Sequence, residues 1–388
     1  MSMRQQNLST FTHANRVELI RGGSAFFELL KSLIDQATET IYFQFYIFDN
    51  DQTGREIADA LKRAAQRAVS VHLLLDRYAS FNLSSEFIQD LKDAGVHFRW
   101  FQAFVKGRKF YVGRRLHHKV VVIDRTKSLV SGLNISDRYN DTAESAAWLD
   151  WALFTEGSAS LRLEQVCKRR IKDYSPTPSL NGTNAAESRC AIKVCVNDWV
   201  GRKSEITKSY LKLFNEATER IVVMSPYFMP GRKFRKSLRA AVKRGVRVQI
   251  ILAGVSDILI SKYAERYLYD WLLRLNIEIY EYQKNVLHGK MVVVDGRCLT
   301  VGSYNINNLS AYASIELNLE VKDEILAQAT EERLRAIMTN DCKKITSMAH
   351  QKRSNSFKQL LQASAYLFLR FLLLFFSYNT ERQSAPKP

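Results

Sequence analysis

LHHKVVVIDRTKSLVSGLN, residues 116–134, and LHGKMVVVDGRCLTVGSYN, residues 287–305, are one segment written twice. Both read L-H-x-K-x-V-V-x-D, then five residues to a valine, and both reach an asparagine seventeen residues after the histidine. The glycine is out of step: Gly132 lies fifteen residues after His117 and Gly302 fourteen after His288, so Ser303 stands where Gly132 does. In an extended strand residues two apart face the same side, so His117 projects with Lys119, and His288 with Lys290. The valine-rich run after each pair reads as a buried strand that carries the pair to one edge of a sheet.

Working outward, each segment closes an α/β unit. IYFQFYIFDND (41–51) is a strand-like run, TGREIADALKRAAQRA has helical spacing, and VSVHLLLD (69–76) is a second strand. RIVVMSPYFMP (220–230), GRKFRKSLRAAVKRG and VRVQIILAG (246–254) repeat that order, and GVHFRWF (95–101) and NIEIYEY (276–282) add a short strand to each half. The duplication runs from about residue 13 to residue 325. Alternating strands and helices predict α/β layers with a largely parallel central sheet. The expectation is two similar α/β/α sandwich domains, related by a pseudo-twofold axis and sharing one cleft. Their bounds are 1–185 and 186–345, followed by a basic and apolar tail, 346–388. The stretch KDYSPTPSLNGTNAAESR (172–189) reads as the linker.

Composition bounds the partners. With 57 basic and 39 acidic residues the formal charge is +18, and the pI is near 9.6. That favours nucleic acid, phospholipid headgroups or phosphorylated metabolites, without selecting among them. An apolar fraction of 46% and a mean hydropathy of −0.22 exclude wholesale disorder and a polytopic membrane protein. The five cysteines, Cys167, Cys190, Cys195, Cys298 and Cys342, are odd in number and form no C-x-x-C pair, which argues against a disulfide framework and a zinc site. No apolar run opens the chain, so a reducing, cytoplasmic setting is expected. The tail segment ASAYLFLRFLLLFFSY (363–378) carries one charge, Arg370. As helix it reaches only about 24 Å against a bilayer core of about 30 Å. An interfacial or monotopic anchor, helped by Lys352, Arg353 and Lys358, is expected; a terminal helix packed on the core or in an oligomer interface is the alternative.

Brought into one cleft, the duplicated residues supply two imidazoles, two ammonium groups and two amides. Lys119, Lys290, Asn134 and Asn305 can hold non-bridging phosphate oxygens and stabilise charge in the transition state. One imidazole can attack phosphorus while the other protonates the leaving oxygen and later deprotonates an incoming hydroxyl. The residues alone leave open which histidine does which. A lysine beside each histidine disfavours a bound cation, so no metal or cofactor is expected. Asp124 and Asp295 complete the candidate set, although their place at the strand end suits them to holding the following turn. His118 faces the other side of its strand.

The duplicated H-x-K-x₄-D pattern, with its following glycine and asparagine, resembles the signature of the phospholipase D superfamily over nearly the whole chain except the last forty or so residues. The resemblance implies His117 as nucleophile and His288 as acid and base. It also implies a carboxylate supporting each imidazole. Glu316, in SIELNLEV, lies twenty-eight residues after His288, with Glu320 as competitor. Asp150, in WLDWALFTEG (148–157), lies thirty-three after His117 and needs a five-residue insertion, with Glu144 as competitor. Gly132 and Ser303 are the small residues beside the site. Ser131, where many relatives have glycine, is expected to narrow the first phosphate pocket slightly.

The basic run KGRKFYVGRR (106–115) precedes the first motif and suits anionic headgroups. The PYFMP segment (226–230), the W-x-D segment and the pairing of unequal halves resemble bacterial cardiolipin synthases of the shorter type, which lack N-terminal membrane spans. That resemblance implies phosphatidyl transfer between two phosphatidylglycerol molecules, giving cardiolipin and glycerol through a phosphohistidine. It also implies a peripheral or monotopic enzyme of the inner membrane with its catalytic domains in the cytoplasm. A nuclease or phosphodiesterase of the same superfamily, acting on nucleic acid, is the first rival. A non-catalytic lipid-binding protein is the second.

Overall fold

The computed structural model describes residues 10–101, 105–106, 109–110, 115–171, 190–199, 201–307, 314–348 and 356–384, with side chains outside 102–114, 356 and 372–384. The proposed linker and domain boundary, and most of the basic run, lie outside the described residues.

In the first half, strands Thr40–Phe45, Ser70–Asp76 and His97–Phe101 run parallel, joined by helices Gln52–Gln66 and Ser85–Asp93. The helix Gln52–Gln66 shows why the chain turns there. Asp51 caps it by accepting from the Gly54 N–H, and Ile57, Ala58, Leu61 and Ala64 form its buried face. Each fully buried leucine or isoleucine of this kind contributes about 1.5–3 kcal/mol. Gly54 is obligatory, because a Cβ there would lie 1.8 Å from the Asp49 carbonyl.

The His-x-Lys strand Lys119–Ile123 then enters antiparallel to Thr40–Phe45, and Lys127–Ser131, Trp151–Gly157 and Asn15–Arg21 follow, each antiparallel to the last. The second half repeats the order. Ala191–Asp198, Ser314–Lys322, Cys298–Gly302, Met291–Val294, Arg220–Ser225, Arg247–Val255 and Glu278–Val286 lie side by side, with Lys203–Ser204 and Cys342–Ile345 at the two edges. The sheets are therefore mixed, not largely parallel as alternation suggested. The cause is local. Asp124 and Arg125 (φ 47° and 62°), and Asp295 and Gly296 (φ 52° and 58°), make tight hairpins after each motif strand, and a hairpin can only return antiparallel.

Each half has an outer core under its own helices, and a third cluster unites the two. Val120, Val122 and Leu153 of the first half pack there with Met224, Met291 and Leu317 of the second. Helices Ser158–Ile171 and Glu324–Asn340 contribute Leu163, Val166, Ala327 and Leu334 to this shared core. A helix, Ser356–Ser384, ends the described chain and packs against helix Leu259–Arg266. Among the described residues no helix is long and apolar enough to cross a membrane.

Candidate active site

The site is assembled by exchange between the halves. Just before the first motif, Arg115 and Leu116 pair in parallel with Ser314 and Ile315, and the His117 N–H donates to the Ile315 carbonyl at 2.9 Å. The same occurs on the other side. Leu287 bridges Leu149 in parallel, and the His288 N–H donates to the Leu149 carbonyl at 2.8 Å. In parallel pairing the next residues are neighbours, so each histidine meets a carboxylate from the opposite half. His117 Nδ1 lies 2.8 Å from Glu316 Oε2, and His288 Nδ1 lies 2.6 Å from Asp150 Oδ2. The carboxylates fix the tautomer with the proton on Nδ1 and the lone pair on Nε2.

Both carboxylates are themselves held. Glu316 accepts from the Ser303 hydroxyl at one oxygen and from Ser314 Oγ, at 2.7 Å, at the other. Gly132, at the position of Ser303, must be glycine: a Cβ would lie 2.3 Å from Asp150 Oδ1. Burial raises the pKa of both acids. For Glu316 the His117 interaction more than offsets it, and for Asp150 the Lys290 charge and the His288 hydrogen bond do, leaving each below the usual carboxylate value. The competing acids are elsewhere. Glu320 is bonded to Ser209 (2.6 Å) and Lys193 (3.1 Å), and Glu144 is exposed.

Lys119 and Lys290 are buried and donate to the carbonyls of their own histidines, Lys119 to His117 at 3.1 Å and Lys290 to His288. Burial pushes them down to about 7 and about 8, although Glu316 and Asp150 pull upward. Lys290 also lowers Lys119, so the two ammonium groups act on each other. Burial lowers both imidazoles as well, with Lys119 adding to the effect on His117 and Lys290 to that on His288. The pocket is a set of cationic groups held near neutrality, which an anion would charge.

The motif aspartates are not part of it. Asp124 accepts from the N–H groups of Thr38, Glu39 and Thr40 and from the Thr38 hydroxyl, all within 3.0 Å. Asp295 does the same with Thr218, Glu219 and Arg220. Each sits at the far end of its strand from the His-x-Lys pair, so their inclusion among the catalytic candidates is corrected: these are turn-holding residues. Asn134 also differs from expectation. Its Oδ1 accepts from the Ile47 N–H at 3.2 Å and its Nδ2 donates to the Tyr139 hydroxyl at 2.9 Å, so its amide is already engaged. Asn305 is buried with its Oδ1 unpartnered, ready for a donor. Ser131 is buried and bonds its own loop through the Leu133 carbonyl at 3.4 Å. His118 is buried on the other face, with Nδ1 3.3 Å from Gln44 Oε1.

Three neighbours escaped the sequence reading. Tyr46 meets the His117 ring edge-on at 4.8 Å, and Tyr139 meets His288 at 5.1 Å, with its hydroxyl 3.5 Å from His288 Nε2. Asp76 is fully buried and accepts from the N–H of Leu116 at 2.9 Å, one residue before His117. Tyr46 directly follows the first strand and Asp76 ends the second, so their positions at a strand terminus were the available signal.

This geometry, two histidines each backed by a carboxylate and accompanied by a lysine, can be compared with known proteins. The family described as Cardiolipin synthase, PLD-like domain, matches residues 30–153 and again 210–338. Cardiolipin synthase B of Salmonella typhimurium is 32% identical over 366 residues, covering 92% of this chain and 88% of that protein. The Escherichia coli K12 protein of the same name is 29% identical over 374 residues, 93% and 89% of the two chains. Phosphatidylserine synthase of Haemophilus influenzae superposes with a TM-score of 0.71 over 96% of this chain and 98% of that one, at 17% identity, and shares the fold. The two halves are thus phospholipase D-like domains around a phospholipase D-type site. The chain belongs to the cardiolipin synthase family of that superfamily.

Proposed function

We propose that this chain transfers a phosphatidyl group from one phosphatidylglycerol to the hydroxyl of another, forming cardiolipin and glycerol. The observation that carries the reading is the crossed pair of histidine–carboxylate couples, with two lysines whose charge an anionic phosphodiester would stabilise. His117 is the nucleophile. Its side chain is the more open of the two, 16% exposed against 8% for His288, and the His288 lone pair faces the Tyr139 hydroxyl. Burial keeps the His117 imidazole neutral, with Nε2 free to attack phosphorus.

As the N–P bond forms, the bond from phosphorus to the glycerol oxygen breaks, and His288 gives that oxygen its proton. The negative charge of the bound diester raises the His288 pKa from its lowered resting value, so the proton arrives with the substrate. Lys119, Lys290 and the Asn305 Nδ2 amide donate to the non-bridging oxygens. In the second half-reaction His288 takes the proton of the incoming hydroxyl, the new P–O bond forms, and His117 departs. Transfer then prevails over hydrolysis where the site opens onto lipid and water is scarce. The apolar end of the chain supports a peripheral place at the membrane, and the relatives of this name support the lipid substrate.

The test is purified protein with phosphatidylglycerol vesicles, with cardiolipin and glycerol measured beside cleavage of single-stranded DNA. Equal amounts of cardiolipin and glycerol, with DNA intact, are expected. DNA cleavage without lipid conversion would overturn the reading.

A further inference from the structure

The exposed apolar side chains gather at the edge of the sheets where the histidines lie. In each half the second strand, Ser70–Asp76 or Arg247–Val255, runs parallel to the first, Thr40–Phe45 or Arg220–Ser225. The first strands end opposite the start of the motif strands, Phe45 against Lys119 and Met224 against Met291. The loops after both second strands therefore open on the histidine edge. Eight and eleven residues from the strand start, the first half exposes Tyr78 and Phe81 and the second Val255 and Ile258. Phe81 is 75% exposed, and Leu259, which opens helix Leu259–Arg266, 72%. Single exposed apolar residues are ordinary, but equivalent placement around one site mouth is not.

The terminal helix extends the patch. Its Ala365, Tyr366 and Leu369 pack on Met229, Ala264 and Leu268. Tyr366 stacks on Tyr267 at 4.8 Å and accepts from Arg235 Nη2 at 2.6 Å. Its other face exposes Leu360, Leu367 and Phe368, where a helix made only to pack would be polar. The helix that carries Arg235, Arg232–Lys243, turns Arg232, Lys233, Lys236 and Arg239 to solvent, so a basic border adjoins the apolar face. Met229, three residues before that helix, donates its N–H to the carbonyl of Ile306 beside Asn305, which places the border next to the site.

The geometry points to a composite membrane-facing surface, formed by the loop at 77–81, by the strand end, turn and helix start at 255–260 and by the terminal helix, that rests on an anionic phospholipid bilayer with the active site opening toward the lipid. The occupant is lipid because an apolar face bordered by lysine and arginine matches a bilayer of anionic headgroups over acyl chains. The inference rests on the lipid reading above and deepens it: both halves contact the bilayer, and the terminal helix is one of three contributions, not a lone anchor.

Flotation of the full chain with vesicles of phosphatidylglycerol, or of phosphatidylcholine alone, tests it. Three variants are compared with the parent: Phe81→Ser; Leu259→Ser with Ile260→Ser; and Leu367→Ser with Phe368→Ser. Partition onto phosphatidylglycerol is expected to fall about tenfold in each double variant and less in the single one. Thermal midpoints, and turnover of the soluble diester bis(p-nitrophenyl) phosphate, should be unchanged. The parent should bind phosphatidylcholine far less. Unaltered partition in the Phe81 and Leu259/Ile260 variants, or equal binding to both vesicles, overturns the surface. Vesicle-bound parent that makes no cardiolipin would instead overturn the reaction and leave the surface standing.

Discussion

The two halves carry the same strand order and the same His-x-Lys pair, yet they surround their histidines differently. His117 has the longer glutamate, steadied by two serines, an aromatic edge from Tyr46, and a second buried acid, Asp76, on the backbone just before it. His288 has the shorter aspartate against a glycine, with Tyr139 also edge-on to the imidazole but its hydroxyl 3.5 Å from Nε2, and Trp148 6.1 Å away. The duplication provides symmetry of position, and the differing neighbours support the different roles proposed for the two histidines. A nucleophile needs an open lone pair and a fixed ring, whereas an acid and base needs a proton partner close at hand.

The largest expected effect breaks the comparison outright. Replacing either histidine with alanine should lower transfer at least about 10⁴-fold. The two losses differ in kind. With a p-nitrophenyl phosphatidyl donor, whose leaving group needs no proton, His288→Ala should still accumulate a covalent phosphatidyl adduct, and His117→Ala should not. The crossed pairing makes a sharper claim. Glu316→Gln should slow adduct formation and Asp150→Asn should spare it, while each lowers overall transfer by about a thousandfold. Mass spectrometry of the trapped protein reads this directly, and the reverse pattern would break the assignment.

That crossing was beyond the reach of the sequence. The motifs and their asparagines were legible because they recur at the same offsets, whereas the candidates Glu316 and Asp150, twenty-eight residues after His288 and thirty-three after His117, came from the family resemblance. Which acid serves which imidazole depends on two short parallel pairings, Leu116 with Ile315 and Leu149 with Leu287, joining segments far apart in the chain. The mixed sheet was partly legible. Asp295-Gly296, between two apolar runs, is a hairpin signal that alternation of strands and helices obscured. Asp124 and Asp295 were drawn toward the chemistry by the motif, although their φ values and amide partners show that the motif also encodes a turn.

A smaller effect comes from the lysines, which burial pushes well below their ordinary value in both halves. Lys119 is pushed down to about 7 and Lys290 to about 8. Below that window both are charged; above it the free protein must take up protons to bind an anion. Affinity for dimethyl phosphate, whose single charge is constant there, should fall by up to about tenfold per pH unit for each lysine deprotonated. Stability of the unliganded protein should move the other way. A lysine depressed in the folded state is charged in the unfolded chain up to the ordinary value of 10.5, so unfolding takes up protons and stability rises with pH from about 7 toward 10.5. Titration calorimetry and thermal melts check both signs. Lys119→Met and Lys290→Met should each remove part of the dependence.

The smallest effect concerns Asp76, the acid without a counterpart. Counting from the strand starts paired with Thr40 and Arg220, its equivalent is Ala253. Asp76 takes the N–H groups of Tyr78 and Ala79 at one oxygen and of Leu116 at the other. Burial raises its pKa, opposed by the Leu116 hydrogen bond and the Arg115 charge. It therefore ties the loop at 77–81 to the residue before His117, the proposed nucleophile, which makes it a candidate positioning residue. Asp76→Asn keeps an acceptor at one oxygen and should lower transfer only about threefold, whereas Asp76→Ala strands a buried N–H and should cost about 1–3 kcal/mol of stability with a larger loss of rate. The readout that separates positioning from folding is adduct formation from the p-nitrophenyl donor: Asp76→Asn should slow that step and leave breakdown of the adduct unchanged. Equal slowing of both steps would mean that the two halves are not divided by this acid.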